Sequence, residues 1–360
     1  MESMVNDDST RRDRRPATTK AQRRVVRSAG VIGTAAIALL IAACGGETTE
    51  STPTNTREPE TAAASPEQAT TPAGTVAPAG LGGPTTVRSL AVDPQTSVVA
   101  VLTDGGLLLA DGSTDGAVAG TPRAVELPSP GTSVHPGRAG EILVTTADGL
   151  VRVDAESGAA TALPVDGGAI SATVFGDGYA VGSATGLVSV LDADGAVTSS
   201  IGGLASVDGL VPAGDDLVAL DTRQTSVTTV NVAADRLGEA LRAGDGATRT
   251  VGCATGAIVV SDTADDELMI FTGDDLIMRQ RYPVAGSPFA VACDDAGTVW
   301  VTTTATNEVL GFDVSSGIPV ETARFPTVTQ PDSLAVDSRS GRLFVGSNDG
   351  AGVQVIPTRE

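Results

Sequence analysis

From Leu90 to the C-terminus, apolar residues gather in short runs that alternate with Gly, Asp, Ser, Thr and Pro. The runs have the length of strands, and turn residues close each one. They recur in phase. The turn after the first run of each group falls at Asp93, His135, Gly176, Ala213, Cys253, Cys293 and Asp337, with spacings between 37 and 44 residues. A strand-only unit of about 41 residues is the period of a β-propeller blade. The pattern therefore predicts an all-β, seven-bladed β-propeller over residues 84–360. Val87–Val92, Ser97–Leu102 and Leu107–Ala110 are the inner strands of the first blade, and Ala124–Leu127 is its outer one. The fourth blade ends in Arg236–Arg242, whose composition is more helical than that of the other outer strands.

The last blade is one strand short. Leu334–Val336, Arg342–Val345 and Gly352–Val355 are present, and then the chain stops. An unpaired edge is a liability, and one extra apolar segment precedes the first blade. Residues 74–79, with Thr75-Val76-Ala77 at their centre, are predicted to pair with the last blade and close the ring. Asp-Gly and Ser-Gly pairs at Asp104-Gly105, Asp148-Gly149, Asp177-Gly178, Asp194-Gly195 and Ser316-Gly317 predict tight turns with glycine at positive φ. Asp192-Ala193-Asp194-Gly195 lacks the downstream acidic ligand of a calcium loop and reads as such a turn.

Composition agrees with close-packed strands and adds a charge. The chain has 360 residues, 43 Gly and only 2% aromatic residues, with a formal net charge of −21. Residues 1–43 carry eight basic and four acidic side chains. Without them 15 Arg, no Lys and 40 acidic groups remain, a net charge near −25. Such a surface repels nucleic acid and anionic lipid head groups. The absence of lysine beyond Lys20 excludes Schiff-base or lysine general-base chemistry after the leader.

Arg11, Arg12, Arg14, Arg15, Lys20, Arg23, Arg24 and Arg27 precede Ala29–Ala43, an uncharged and mostly apolar run of 15 residues. That is short for a membrane span and right for a signal-peptide core. The run ends in Ile41-Ala42-Ala43-Cys44, which resembles a bacterial lipobox. The resemblance implies that 1–43 is a signal peptide and that the Cys44 thiol carries diacylglycerol. Lipid chains at about 0.8 kcal/mol per buried methylene would hold the protein to the membrane. An ordinary secretory signal with an incidental cysteine is the alternative. Arg23-Arg24 also resembles a loose twin-arginine signal, but Arg27 interrupts the apolar pair expected after it, and general secretory export is preferred. Residues 44–83, rich in Thr, Pro, Ala, Ser and Glu without periodicity, read as a lipidated flexible stalk.

Val299-Trp300-Val301-Thr302-Thr303-Thr304 followed by Asn307 and Glu308–Asp313 resembles the YVTN repeat. Ser333–Asp337 followed by Arg342–Asn348 is similar. The resemblance implies a YVTN/NHL-type seven-bladed ring. That family includes extracytoplasmic binding proteins and some lactonases, and no lactonase residue can be matched here.

Candidate chemistry is sparse. Cys253 and Cys293 lie one repeat apart in the same phase of adjacent blades, which makes them disulfide candidates outside the cytoplasm; two separate buried thiols are the alternative. His135, the only histidine, is placed at a turn with Asp93 and Asp337, and the three are candidates for binding at the channel mouth. A merely solvated histidine is the competing reading. No G-x-S-x-G, H-E-x-x-H or phosphate loop is present, and no catalytic residue, metal or cofactor is assigned. The expectation is a monomeric lipoprotein on the outer face of the cell membrane. It binds an envelope protein or small ligand without catalysis, and no nucleic acid. A lactonase-like hydrolase and a scaffold for envelope complexes stay open as alternatives.

Overall fold

A computed structural model describes residues 56–68, 70–77, 85–113, 119–273 and 275–359. The leader 1–43 and Cys44 lie outside the described residues. Every regular element described is a strand: 28 strands form seven four-stranded antiparallel sheets. The architecture is a seven-bladed β-propeller. Blade one comprises Val87–Val92, Val98–Thr103, Gly106–Asp111 and Ala119–Val125. The innermost strands of blades two to seven are Gly131–Pro136, Ser171–Phe175, Gly209–Ala213, Ala247–Gly252, Pro288–Cys293 and Pro331–Asp337.

The ring closes as the missing strand predicted. Thr75–Ala77 adds to Val353–Pro357 in antiparallel register, with Thr75 opposite Val355 and Ala77 opposite Val353. The last blade thus takes its outer strand from the N-terminal side, which ties the two ends of the ring together. In blade four Arg236–Arg242 is a strand and not a helix, paired with Ser226–Asn231. Three neighbouring strands offer an open edge at that point, and pairing with it overrides local propensity.

Seven apolar clusters fill the spaces between successive blades. One joins Leu102, Leu107 and Leu109 of blade one to Ile142, Val144 and Val153 of blade two. The closing cluster sets Phe344, Val353 and Val355 against Val87, Val99 and Val101, with Ala77 at its margin. Val, Ala and Leu suffice because adjacent sheets approach closely along their full faces. Hydroxyl groups add a second layer of contact between blades. Ser171 donates to the Val207 carbonyl at 2.6 Å, Ser261 to Phe289 at 2.7 Å, and Thr263 to Pro288 at 2.7 Å. Each satisfies a backbone acceptor where one blade leads into the next.

The predicted turn glycines divide. Gly149, Gly195 and Gly317 have positive φ. Gly105 and Gly178 do not; in blade one the left-handed residue is Gly106. Gly178 is required for another reason: a Cβ there would lie 1.9 Å from the Leu191 carbonyl oxygen. Gly178→Ala should therefore cost about 1–3 kcal/mol through forced separation of the second and third strands of blade three. A urea midpoint equal to that of the parent would show that the strands yield without strain.

Candidate binding face

In an antiparallel meander, the entry to the first strand and the turn between the second and third lie on one side of the ring. We call this the upper face. Residues 56–68 and 70–73, read from sequence as part of a flexible stalk, run along it. The Arg57 amide donates to Arg223 O at 2.9 Å in blade four. Ala63 N donates to Ser287 Oγ at 3.1 Å at the entry to blade six. Ser65 Oγ donates to Thr304 O at 2.8 Å and accepts from Gln330 N at 2.7 Å. Gln330 Oε1 accepts from Ser65 N at 3.0 Å, and its Nε2 donates to Ala63 O at 3.1 Å. Asn307 Nδ2 donates to Pro66 O at 3.1 Å, and Gln68 Nε2 donates to Thr327 O at 2.9 Å. Gln354, fully buried, donates to Ala73 O at 2.7 Å just before the closing strand. The segment is a strap over blades four to seven.

The residues that receive it are in unusual conformations. Ser287, Asn307 and Gln330 all have positive φ, at 60°, 52° and 48°. Ser287 and Gln330 also precede prolines, Pro288 and Pro331, where helical conformations are disfavoured. Entries to blades three and five are left-handed at glycines, Gly168 and Gly244. Asn307 shares its conformation with Thr225 and Asp266 at the same turn of blades four and five, whereas Ser287 and Gln330 adopt it at blade entries where their side chains hold the strap, at about 1–3 kcal/mol per residue. Asn307 is 4% exposed, and its Oδ1 has no hydrogen-bond partner.

Gln330 links the strap to the central channel, because its Nε2 also donates to Asp332 Oδ1 at 2.9 Å. Asn348 Nδ2 donates to the other Asp332 oxygen at 2.9 Å. Burial pushes the Asp332 carboxyl above the usual range, against these hydrogen bonds and the attraction of Arg249. Arg249, on the innermost strand of blade five, stacks on Phe289 at 4.6 Å from the ring centre. Enclosure by the channel walls lowers its pKa, opposed by Asp332 and Asp208.

His135 lies inside the innermost strand of blade two, opposite Leu143, and not at the turn where spacing placed it. The turn begins at Gly137, whose amide donates to Glu141 O. The His135 Nε2 atom is buried without a partner. Burial, and then the charge of Arg249, lower its pKa to about 4. Between pH about 6.5 and 4 the unfolded chain binds the proton that the folded ring excludes. Stability held above pH 6.5 is lost as pH falls through that window. His135→Gln should flatten this part of a stability–pH curve; an unchanged slope would show that His135 titrates normally.

Asp93 and Asp337 are committed to turns on the lower face. Asp93 Oδ2 accepts from Thr96 N at 2.8 Å, and its Oδ1 accepts from Gly140 N of blade two at 2.8 Å. Asp337 accepts from Arg339 N at 3.0 Å and Ser340 Oγ at 2.6 Å. Burial works against ionisation of Asp337, but the hydrogen bonds from Ser340, Ser97 and Arg339 prevail and its pKa is lowered. Among the described residues, no hydrogen bond or ion pair joins either carboxylate to His135. Cys253 and Cys293 form a disulfide between blades five and six, with Cα atoms 5.3 Å apart.

Two other clusters are self-contained. Asp262, Asp265 and Glu267 come within 4.8 Å of one another. Asp262 accepts from the amides of Asp245 and Gly246, and Arg281 pairs with Asp265 and Glu267. Arg281 offsets part of the charge, and the neighbouring Asp262 carboxylate still raises the Asp265 pKa. A cleft of about 410 Å³ between blades two and three is lined by Arg138, Glu141, Arg152 and Tyr179. There the Tyr179 hydroxyl donates to Glu141 at 3.0 Å, and both arginines stack near its ring.

No family model matches the chain, and no curated protein matches it. Solved structures do. A chain of the mitotic checkpoint complex shares 15% identity at a TM-score of 0.66, over 85% of this chain and 100% of that one. Hydrazine synthase of Kuenenia stuttgartiensis shares 16% identity at 0.62, over 76% and 95%. Streptogramin B lyase shares 13% identity at 0.62, over 76% and 94%. At these identities the likeness is one of fold alone: the chain is similar to β-propellers of diverse function.

Proposed function

We propose that this chain is a lipid-anchored, extracytoplasmic β-propeller that binds a partner in the cell envelope and is not itself a catalyst. The observation that carries the reading is the fate of its three cysteines. Two are joined across neighbouring blades, a bond that persists in oxidising compartments. The third, Cys44, follows the basic leader and apolar run at the lipobox position. Binding is favoured over catalysis by the isolation of His135. A general base needs a nucleophile within hydrogen-bond reach, and His135 Nε2 has no partner. The acidic surface speaks against nucleic acid as the partner.

Cys44→Ser tests the anchor. Expression with labelled palmitate should show label on the parent and none on the variant, and the variant should leave the membrane fraction. Equal membrane retention without label would overturn the lipid anchor.

A further inference from the structure

The strap is held mainly by its backbone. Of the contacts over blades six and seven, Ala63 N, Ala63 O, Ser65 N and Pro66 O are main-chain atoms, and Ser65 and Gln68 are the two residues that also reach the ring through their side chains. The strap residues themselves are exposed or half-buried, whereas Ser287, Thr304 and Asn307 beneath them are buried. Such a segment rests on a formed surface and adds little apolar burial of its own, which places it at the low end of local stability. The surface carries two left-handed residues at blade entries, Ser287 and Gln330, and one unused acceptor, Asn307 Oδ1. Backbone strain of this kind collects at ligand clamps.

The chemistry of the fit is specific at two positions. The hydroxyl of Ser65 must both donate, to Thr304 O, and accept, from Gln330 N. Pro66 has no amide hydrogen to leave unpaired and biases Ser65 toward an extended backbone. The flanking Ala63 and Ala64 are small enough to let the main chain approach. We propose that Ser287, Thr304, Asn307 and Gln330 form a docking groove for an extended segment of small-small-Ser-Pro sequence. Ala63–Pro66 is its resident occupant, and an envelope partner presenting a segment of that chemistry displaces it. The inference rests on the binding reading above and not on the lipid anchor. A tethered occupant acts at millimolar effective concentration, so a competing segment gains when the partner is held close.

A fluorescent peptide spanning Glu60–Thr70 is titrated against the full chain, against Ser65→Ala, and against Ser65→Ala combined with Gln330→Ala. Losing the Ser65 hydrogen bonds should loosen the strap and tighten peptide binding by roughly 10-fold relative to the parent. Adding Gln330→Ala should reverse that gain, and a peptide with alanine at Ser65 should bind roughly 10-fold more weakly to the Ser65→Ala chain. Equal binding by all chains and both peptides, or no binding at millimolar peptide, overturns the groove. Concentration-dependent dimers of the parent that vanish in Ser65→Ala would make a second copy the occupant and overturn the partner assignment. Capture of an envelope protein equally by parent and Gln330→Ala would sink the groove while leaving the binding function standing.

Discussion

Cys253→Ser should lower the stability of the ring by about 4 kcal/mol, the chain-entropy value for a loop of this length. The cross-link spans 40 residues and restrains the unfolded chain more than it adds contact to the folded one. For a domain of this size the loss corresponds to roughly 7 °C in Tm. Cys293→Ser should match it, the double variant should add little, and reductant should bring the parent to the same midpoint. Because Cys253 and neighbouring apolar residues form one cluster across blades five and six, exchange of amides there should quicken first. A parent melting at the same temperature with and without reductant would show that the bond contributes nothing to equilibrium stability.

The second large effect is expected at Gln354. Its side chain is fully buried and spans three elements. Oε1 accepts from Val328 N at 2.9 Å, while Nε2 donates to Ala73 O at 2.7 Å and Pro326 O at 3.0 Å. Pro326 O keeps a second donor in Ala73 N. Gln354→Ala therefore strands one buried amide hydrogen and one carbonyl, each worth about 1–3 kcal/mol, and roughly 3 kcal/mol in total. The damage should fall on ring closure, since Ala73 leads directly into Thr75–Ala77. Gln354→Glu keeps the acceptor and loses both donors while ionised, so it should be no better at neutral pH. It should recover in part on acidification, when the protonated carboxyl regains a donor. Hydrogen exchange at Val76 and Ala77 reads the effect; unchanged protection there in Gln354→Ala would show that closure does not depend on this side chain.

Much of this architecture was legible in the chain because a propeller repeats. Each blade must bury both faces against its neighbours, so every turn of the ring imposes the same alternation of apolar runs and turn residues. Cys253 and Cys293 could be placed side by side for that reason, and Thr75–Ala77 could be assigned to the unfilled edge. His135 was misplaced by two residues because spacing locates a turn only coarsely. The backbone bond from Gly137 to Glu141 decides where the strand ends. Arg236–Arg242 misled because composition reports local preference, while an open sheet edge supplies a full row of hydrogen-bond partners.

The number of blades, the closing strand, the phase of the cysteines and the acidic surface all follow from periodicity and composition. The course of residues 56–68 and 70–73, and the face they cover, emerge only once the ring has formed. Ser65 meets Gln330 across 265 residues of chain, through amides, carbonyls and one hydroxyl. Contacts of that kind need no apolar periodicity, so a segment that binds the ring and one that floats free are written in the same small and polar residues.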